Sequence, residues 1–308
     1  MLGMSCGYSG PSAIDISRFP VEDAQGLRWP RRPDRKVLIH WCFKDAVAEN
    51  NIGKTIENAW ATWARGIGSA GAANGHNLYF ERWKSPKELS YPYCYMLPNV
   101  WDPQIPEAAV QVYWMENSPT VGAASASTGY IANGPPGRHN LMISGQATDR
   151  EKDFAATHEM GHVFGLRHEH ERSDRDQYII YNCRNVYGFA EALGACMADD
   201  NTCTEVMLCN DRALALKYNF GGSEFISYNI APEIPSAYDY DSIMHYDSTR
   251  GSNDAIYGAD PTNPSLYPMY TVDATGATKF LKLRGHHMFP LFMVSAGDVS
   301  MIRAMYPF

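Results

Sequence analysis

From His158 to His168 the chain reads His-Glu-Met-Gly-His-Val-Phe-Gly-Leu-Arg-His, three imidazoles and one carboxylate at spacings that build a metal centre. The chance of meeting this pattern in a chain of such length is on the order of 1 in 10,000 at ordinary residue frequencies. On an α-helix, residues four apart stand nearly one above the other, so His158 and His162 can share one ion. Glu159 sits one step round, beside the ligands but not among them, where a general base belongs. With His168 the set has three neutral imidazoles, and a zinc ion so held keeps one position open for water. Structural zinc sites are normally closed by four protein ligands, often Cys. Zinc brings the pKa of its water to roughly 7. Glu159 could then take the proton as hydroxide attacks a peptide carbonyl, and pass it to the leaving amine.

These groups need particular elements to hold them. Thr148-Asp-Arg-Glu151 reads as a capping box, with Asp149 and Glu151 favourable in the first turn. A helix is expected over about 149–165, with Phe154, Met160, Val163 and Phe164 facing the core. If that helix continued, ten residues would carry His168 about 15 Å along the axis and off the ligand face. The chain must therefore turn back, and Gly165 is the residue that accepts the left-handed conformation found just past helix ends.

With these residues in hand, the chain resembles a metzincin metalloprotease and, within that clan, the astacin family. The stretch His168-Glu169-His170-Glu171-Arg172-Ser173-Asp174-Arg175-Asp176-Gln177-Tyr178 is similar to the family's continuation past the third His. Ser242-Ile243-Met244-His245-Tyr246 resembles its Met-turn. The resemblance implies that Met244 packs under the metal ligands, and that Tyr246 lies near zinc and swings to assist the oxyanion. It also implies that Glu169 meets a new N-terminus once a pro-segment is removed. A preference for an acidic residue just after the cleaved bond is common in the family, but no basic pocket residue can be assigned here. Leu166 stands where Phe is usual, the usual C-terminal Cys is missing, and 257–282 is hard to match. His170 and Glu171 read as surface groups. Arg172, Asp174, Arg175 and Asp176 read as ion pairs that hold the turn. His139, His245, His286 and His287 read as surface or supporting groups rather than ligands.

The chain has 308 residues, 45% of them hydrophobic, which is enough for a large core. A net charge of −8 without a basic run argues against nucleic-acid binding. No stretch approaches the ~18 apolar residues of a membrane span. Of seven cysteines, four (Cys183, Cys196, Cys203, Cys209) cluster as a disulfide-stapled loop, which implies an oxidising compartment; three pairings are open. Cys6 is the expected singleton, either a latency switch on the zinc, a partner of Cys42 or Cys94, or a free thiol. Met1–Pro20 lacks the basic start and apolar stretch of a signal peptide.

Strands are expected at 36–43, 77–83, 110–115, 129–132 and 140–144, and a helix at 52–67 with Ile52, Ile56, Trp60, Trp63 and Ile67 inward. In the family, an edge strand near 129–144 pairs with the bound peptide. Ser295-Ala-Gly-Asp298 caps a final helix with Val299, Ile302 and Met305 inward. The fold expected is α/β (α+β) and two-lobed. A twisted N-terminal sheet carries two long helices, and an irregular C-terminal lobe ends in the last helix. Residues 1–30 read as an extension or pro-segment remnant and 31–308 as the catalytic domain. The function expected is a secreted zinc endopeptidase for proteins or extended peptides. His158, His162 and His168 bind one Zn²⁺, Glu159 and Tyr246 are catalytic, and Met244, Gly165 and Glu169 support them. The alternatives are another metzincin protease, matrixin-like or serralysin-like, and a noncatalytic zinc-containing binding protein.

Overall fold

Val-Leu-Ile-His-Trp-Cys-Phe is too apolar for a strand with one wet face, and in the computed structural model it forms β1 (Val37–Phe43) inside a sheet. The structure describes residues 27–87, 89–116, 124–145, 148–228, 236–281 and 293–308. These fall into two compact units, one of 27–167 with 293–308 and one of 168–281.

In the first unit, α1 (Ala46–Ile67) follows β1, then come β2 (Leu78–Arg82), β3 (Tyr95–Leu97), β4 (Val100–Trp101), β5 (Val110–Met115), β6 (Ala124–Ala126), β7 (Asn140–Ser144) and α2 (Asp149–Val163). The sheet order is β2-β1-β5-β7-β6. The first four strands run parallel, and β6 lies antiparallel on β7 at the edge. β3 and β4 form a separate small hairpin. Residues 129–132 are not a strand. Gly129 has φ +63°, its N–H donates to the His162 carbonyl (2.8 Å), and the Tyr130 N–H goes to Leu27 (3.0 Å). The antiparallel edge lies a few residues earlier, at β6.

α1 starts six residues before the expected boundary, because the Asp45 side chain caps it through Ala48 N (2.9 Å). Its Ile52, Ile56, Trp63 and Ile67 are fully buried, as their spacing requires. Trp63 Nε1 donates to the Thr157 carbonyl of α2 (2.9 Å), and the Trp63 ring meets Phe164 edge-on at 5.4 Å. Truncating either aromatic to Ala would cost about 3–5 kcal/mol. The C-terminal helix Ala296–Met305 has the expected capping box, with Asp298 N donating to Ser295 Oγ at 2.9 Å. It belongs with this first unit rather than with the irregular one, since Val294 and Val299 lie against Gly66 of α1. Trp29 is also built in: it is buried and caps the end of α2 through Nε1 to the Val163 carbonyl (2.7 Å).

The second unit is made of short pieces. β8 (Ile180–Tyr181) pairs with β9 (Met269–Val272), and β9 with β10 (Thr278–Lys279), all antiparallel. Between them run α3 (Phe189–Asp199), α4 (Glu205–Asn210), α5 (Arg212–Lys217) and α6 (Asp254–Tyr257). The bond Cys196–Cys203 is nested inside Cys183–Cys209, which resolves the three open pairings. Cys42 pairs with Cys94 in the first unit, so neither is left for Cys6, which lies outside the described residues. Among the described residues no helix is long and apolar enough to cross a membrane.

Candidate metal centre

Thr148 opens α2 with the expected reciprocal cap: its N–H donates to Glu151 Oε2 (2.8 Å) and the Glu151 N–H to Thr148 Oγ1 (3.4 Å). The helix ends at Val163, two residues short of the expected limit. Gly165 then takes φ +94°, donating its N–H to the His162 carbonyl (2.8 Å), while Leu166 N–H reaches the Gly161 carbonyl (2.9 Å). A Cβ at this position would lie 2.8 Å from Met305 Cε and 2.9 Å from the Leu27 carbonyl oxygen, so both backbone and packing require glycine. The reversal brings one ring nitrogen from each of His158, His162 and His168 within 4.8 Å of the others.

The partners of two rings fix their tautomers. His162 Nδ1 lies 2.9 Å from the Leu166 carbonyl, and His168 Nδ1 lies 2.8 Å from Glu171 Oε2. Carbonyl and carboxylate oxygens only accept, so each Nδ1 carries the proton and each Nε2 is the basic nitrogen of its ring. Glu159 follows His158 on the helix and is buried, 1% exposed. Met160, Val163 and Phe164 are buried as expected.

The Met-turn residues lie around His168. The Met244 carbonyl accepts the Glu169 N–H (3.1 Å), and its own N–H donates to Ser242 Oγ (3.0 Å). Tyr246 rests its ring 4.6 Å from that of His168, but its hydroxyl donates to Glu224 Oε2 (3.0 Å). Glu169 Oε1 accepts from Arg172 Nη1 (2.8 Å) and from Asp239 N–H (2.9 Å). Burial pushes its carboxyl up, against the pull of those two donors. Arg172 also pairs with Asp174, and Arg175 with Asp176, as the charge pattern suggests.

Two residues expected at the surface are inside. His170 is fully buried and Glu171 is 3% exposed. His170 Nδ1 accepts the Tyr246 N–H (3.3 Å), so Nε2 donates to the Glu224 carbonyl (3.0 Å). Burial holds this imidazole well below its usual pKa. His139 and His245 are buried as well, each lowered to about 4 by burial first. His286 and His287 lie outside the described residues. The sequence reading missed Glu171, Glu224 and Arg212. Glu171 stands three residues from His168 and could have been found from that spacing, whereas Glu224 and Arg212 carry no local signal.

The sequence profile of the Astacin peptidase family matches residues 133–207, covering α2, the Gly165 reversal and the turn after His168. High choriolytic enzyme 2 of Oryzias latipes is 30% identical over 111 residues, which are 36% of this chain and 28% of that protein. Zinc metalloproteinase nas-11 of Caenorhabditis elegans is 26% identical over 196 residues, 63% of this chain and 25% of that protein. Over residues 133–207 the chain is similar to the astacin family. Its matches span about a quarter of the length of these curated relatives. The fold agrees with the solved structure of high choriolytic enzyme 1, a hatching enzyme zinc-protease from Oryzias latipes. The TM-score is 0.52 at 15% identity, over 91% of this chain and 94% of that one. The relative nas-11 is named a zinc metalloproteinase, and the donor set here fits zinc: three imidazole nitrogens close enough to share one ion, two of them on rings whose Nδ1 faces an oxygen acceptor.

Proposed function

We propose that the chain is a secreted zinc endopeptidase acting on proteins or extended peptides. The observation that carries this is the triad of imidazoles with Glu159 buried beside it on α2. Zinc bound there supplies Lewis acidity, which acidifies water and polarises a peptide carbonyl. Glu159 takes the proton of the attacking water on a carboxylate oxygen. As the C–N bond breaks, it returns that proton to the leaving amine nitrogen. Tyr246 would turn its hydroxyl away from Glu224 and donate it to the oxygen that gains charge. Met244 supports His168 through the Glu169 N–H, and Glu169 is itself braced by Arg172. β6 is the last strand of the sheet among the described residues, and its outer edge would offer main-chain groups to an extended peptide by strand addition, which favours polypeptide substrates. Three disulfides support placement outside the reducing cytosol.

Casein cleavage by wild type and Glu159→Gln tests the reading. Wild type should cleave, and a chelator should abolish cleavage. The variant should keep its zinc and lose at least about 10²–10⁴-fold in turnover, the range for a positioned proton-transfer group. Turnover at the wild-type rate in the variant would refute the role of Glu159. A zinc-loaded wild type that cleaves nothing would favour a binding protein on a protease scaffold.

A further inference from the structure

Glu171 is buried in the turn Glu169–Glu171, three residues past the third zinc ligand, and the reaction just described does not use it. Both of its carboxylate oxygens are engaged. Oε2 accepts from His168 Nδ1 at 2.8 Å, and Oε1 accepts from Arg212 Nη2. Arg212 is fixed in turn: Nη2 donates to the Ile226 carbonyl (2.6 Å) and the guanidinium lies 4.5 Å over the Tyr228 ring. It opens α5, three residues after Cys209 of the nested staple, with the Asp211 side chain capping the helix through Leu214 N (3.1 Å). A buried carboxylate is costly unless its charge is met, and here a guanidinium on one side meets it while the other oxygen faces the imidazole.

We propose that Glu171, anchored by Arg212, is the positioning residue of the third zinc ligand. It holds His168 with the proton on Nδ1 and the lone pair on Nε2, fixes the angle of the ring, and raises its strength as a donor. The stapled segment α3–α5 thereby gains a function, which is to deliver Arg212 to this carboxylate. The inference rests on the zinc reading of the triad.

The test is zinc affinity of the full chain, measured by competition with a chromogenic chelator, with ¹⁵N NMR of the zinc-free protein to report the His168 tautomer and circular dichroism to check the fold. Glu171→Ala should weaken zinc binding by roughly 10–100-fold, the usual effect of removing a ligand's orienting partner, and should turn the single Nδ1–H tautomer into a mixture. Glu171→Gln keeps an oxygen that accepts from Nδ1 and should recover most of the loss. Arg212→Met should weaken zinc by several-fold. A folded Glu171→Ala protein with wild-type zinc affinity and an unchanged tautomer would overturn the proposal. If that variant does not fold, Arg212→Met decides: wild-type affinity there overturns it and weakened affinity supports it. A wild-type chain that takes up no zinc would instead sink the proposed function, a distinct result.

Discussion

His162 and His168 present the same nitrogen by different means. At the exit of α2, His162 is oriented by a main-chain carbonyl, that of Leu166, which the Gly165 reversal puts in place. In the turn Glu169–Glu171, His168 is oriented by a carboxylate that depends on an arginine 41 residues further on. The first device cannot be removed by changing a partner side chain and fails only if the backbone does. The second can be weakened one side chain at a time. One metal centre thus has a rigid arm, built from local chain geometry, and a tunable arm, built from long-range contacts.

The largest effect should come from striking the rigid arm. Gly165→Ala places a side chain at φ +94° and within 3 Å of Leu27 and Met305, in a conformation that costs about 1–3 kcal/mol before any clash. We expect loss of stoichiometric zinc by metal analysis and a melting temperature lower by roughly 10 °C, since 1 kcal/mol moves a domain of this size by about 2–4 °C. A variant holding one zinc as tightly as wild type would end the distinction between the arms.

A smaller effect is expected at the tunable arm. Replacing Cys183 and Cys209 together by Ser opens a 26-residue separation and should cost about 2–4 kcal/mol in denaturant unfolding. Zinc binding should weaken with it, while the hydrogen bond from His162 Nδ1 to Leu166 survives in the NMR spectrum. Lost stability with unchanged zinc affinity would show that the staple does not serve Arg212.

The smallest concerns pH and the first unit alone. Burial first, and the Arg138 charge second, bring the His139 imidazole down from its ordinary 6.5 to about 4 in the folded protein. The unfolded chain therefore binds the proton first. The stability that neutral His139 contributes is complete above pH 6.5 and is lost as pH falls toward 4. Unfolding free energy measured from pH 7 to 4 should decline less steeply in His139→Gln than in wild type, by up to one proton in that window. Identical slopes would mean that His139 does not titrate as its burial requires.

Most of the rigid arm was legible in the sequence, because each of its parts is local. The capping box, the four-residue spacing of His158 and His162, and the glycine after the helix all act within a few residues. The tunable arm was not, because His170 and Glu171, inside a charged run, read as surface groups until Glu224 and Arg212 arrive from elsewhere to meet them. Similar reasons account for the other differences. α1 begins on Ala-Val-Ala-Glu-Asn-Asn, which has no apolar period, so its start shows only in the Asp45 cap. Residues 129–132 carry strand-like side chains, yet the N–H groups of Gly129, Tyr130 and Ile131 serve the His162 carbonyl at the end of α2, the Leu27 carbonyl and His139 Nε2 instead of a neighbouring strand. The final helix was readable as a helix, but which unit it would cover was not.

The central claim is that the chain reverses at Gly165 so that three imidazoles hold one zinc. Metal analysis of the purified chain, with His168→Ala beside it, tests this most directly. One zinc per wild-type chain, and a severalfold or greater loss of affinity in the variant, is the expected result. A wild-type protein that is empty and takes up no zinc on titration, or a His168→Ala protein that binds it equally well, would contradict the account.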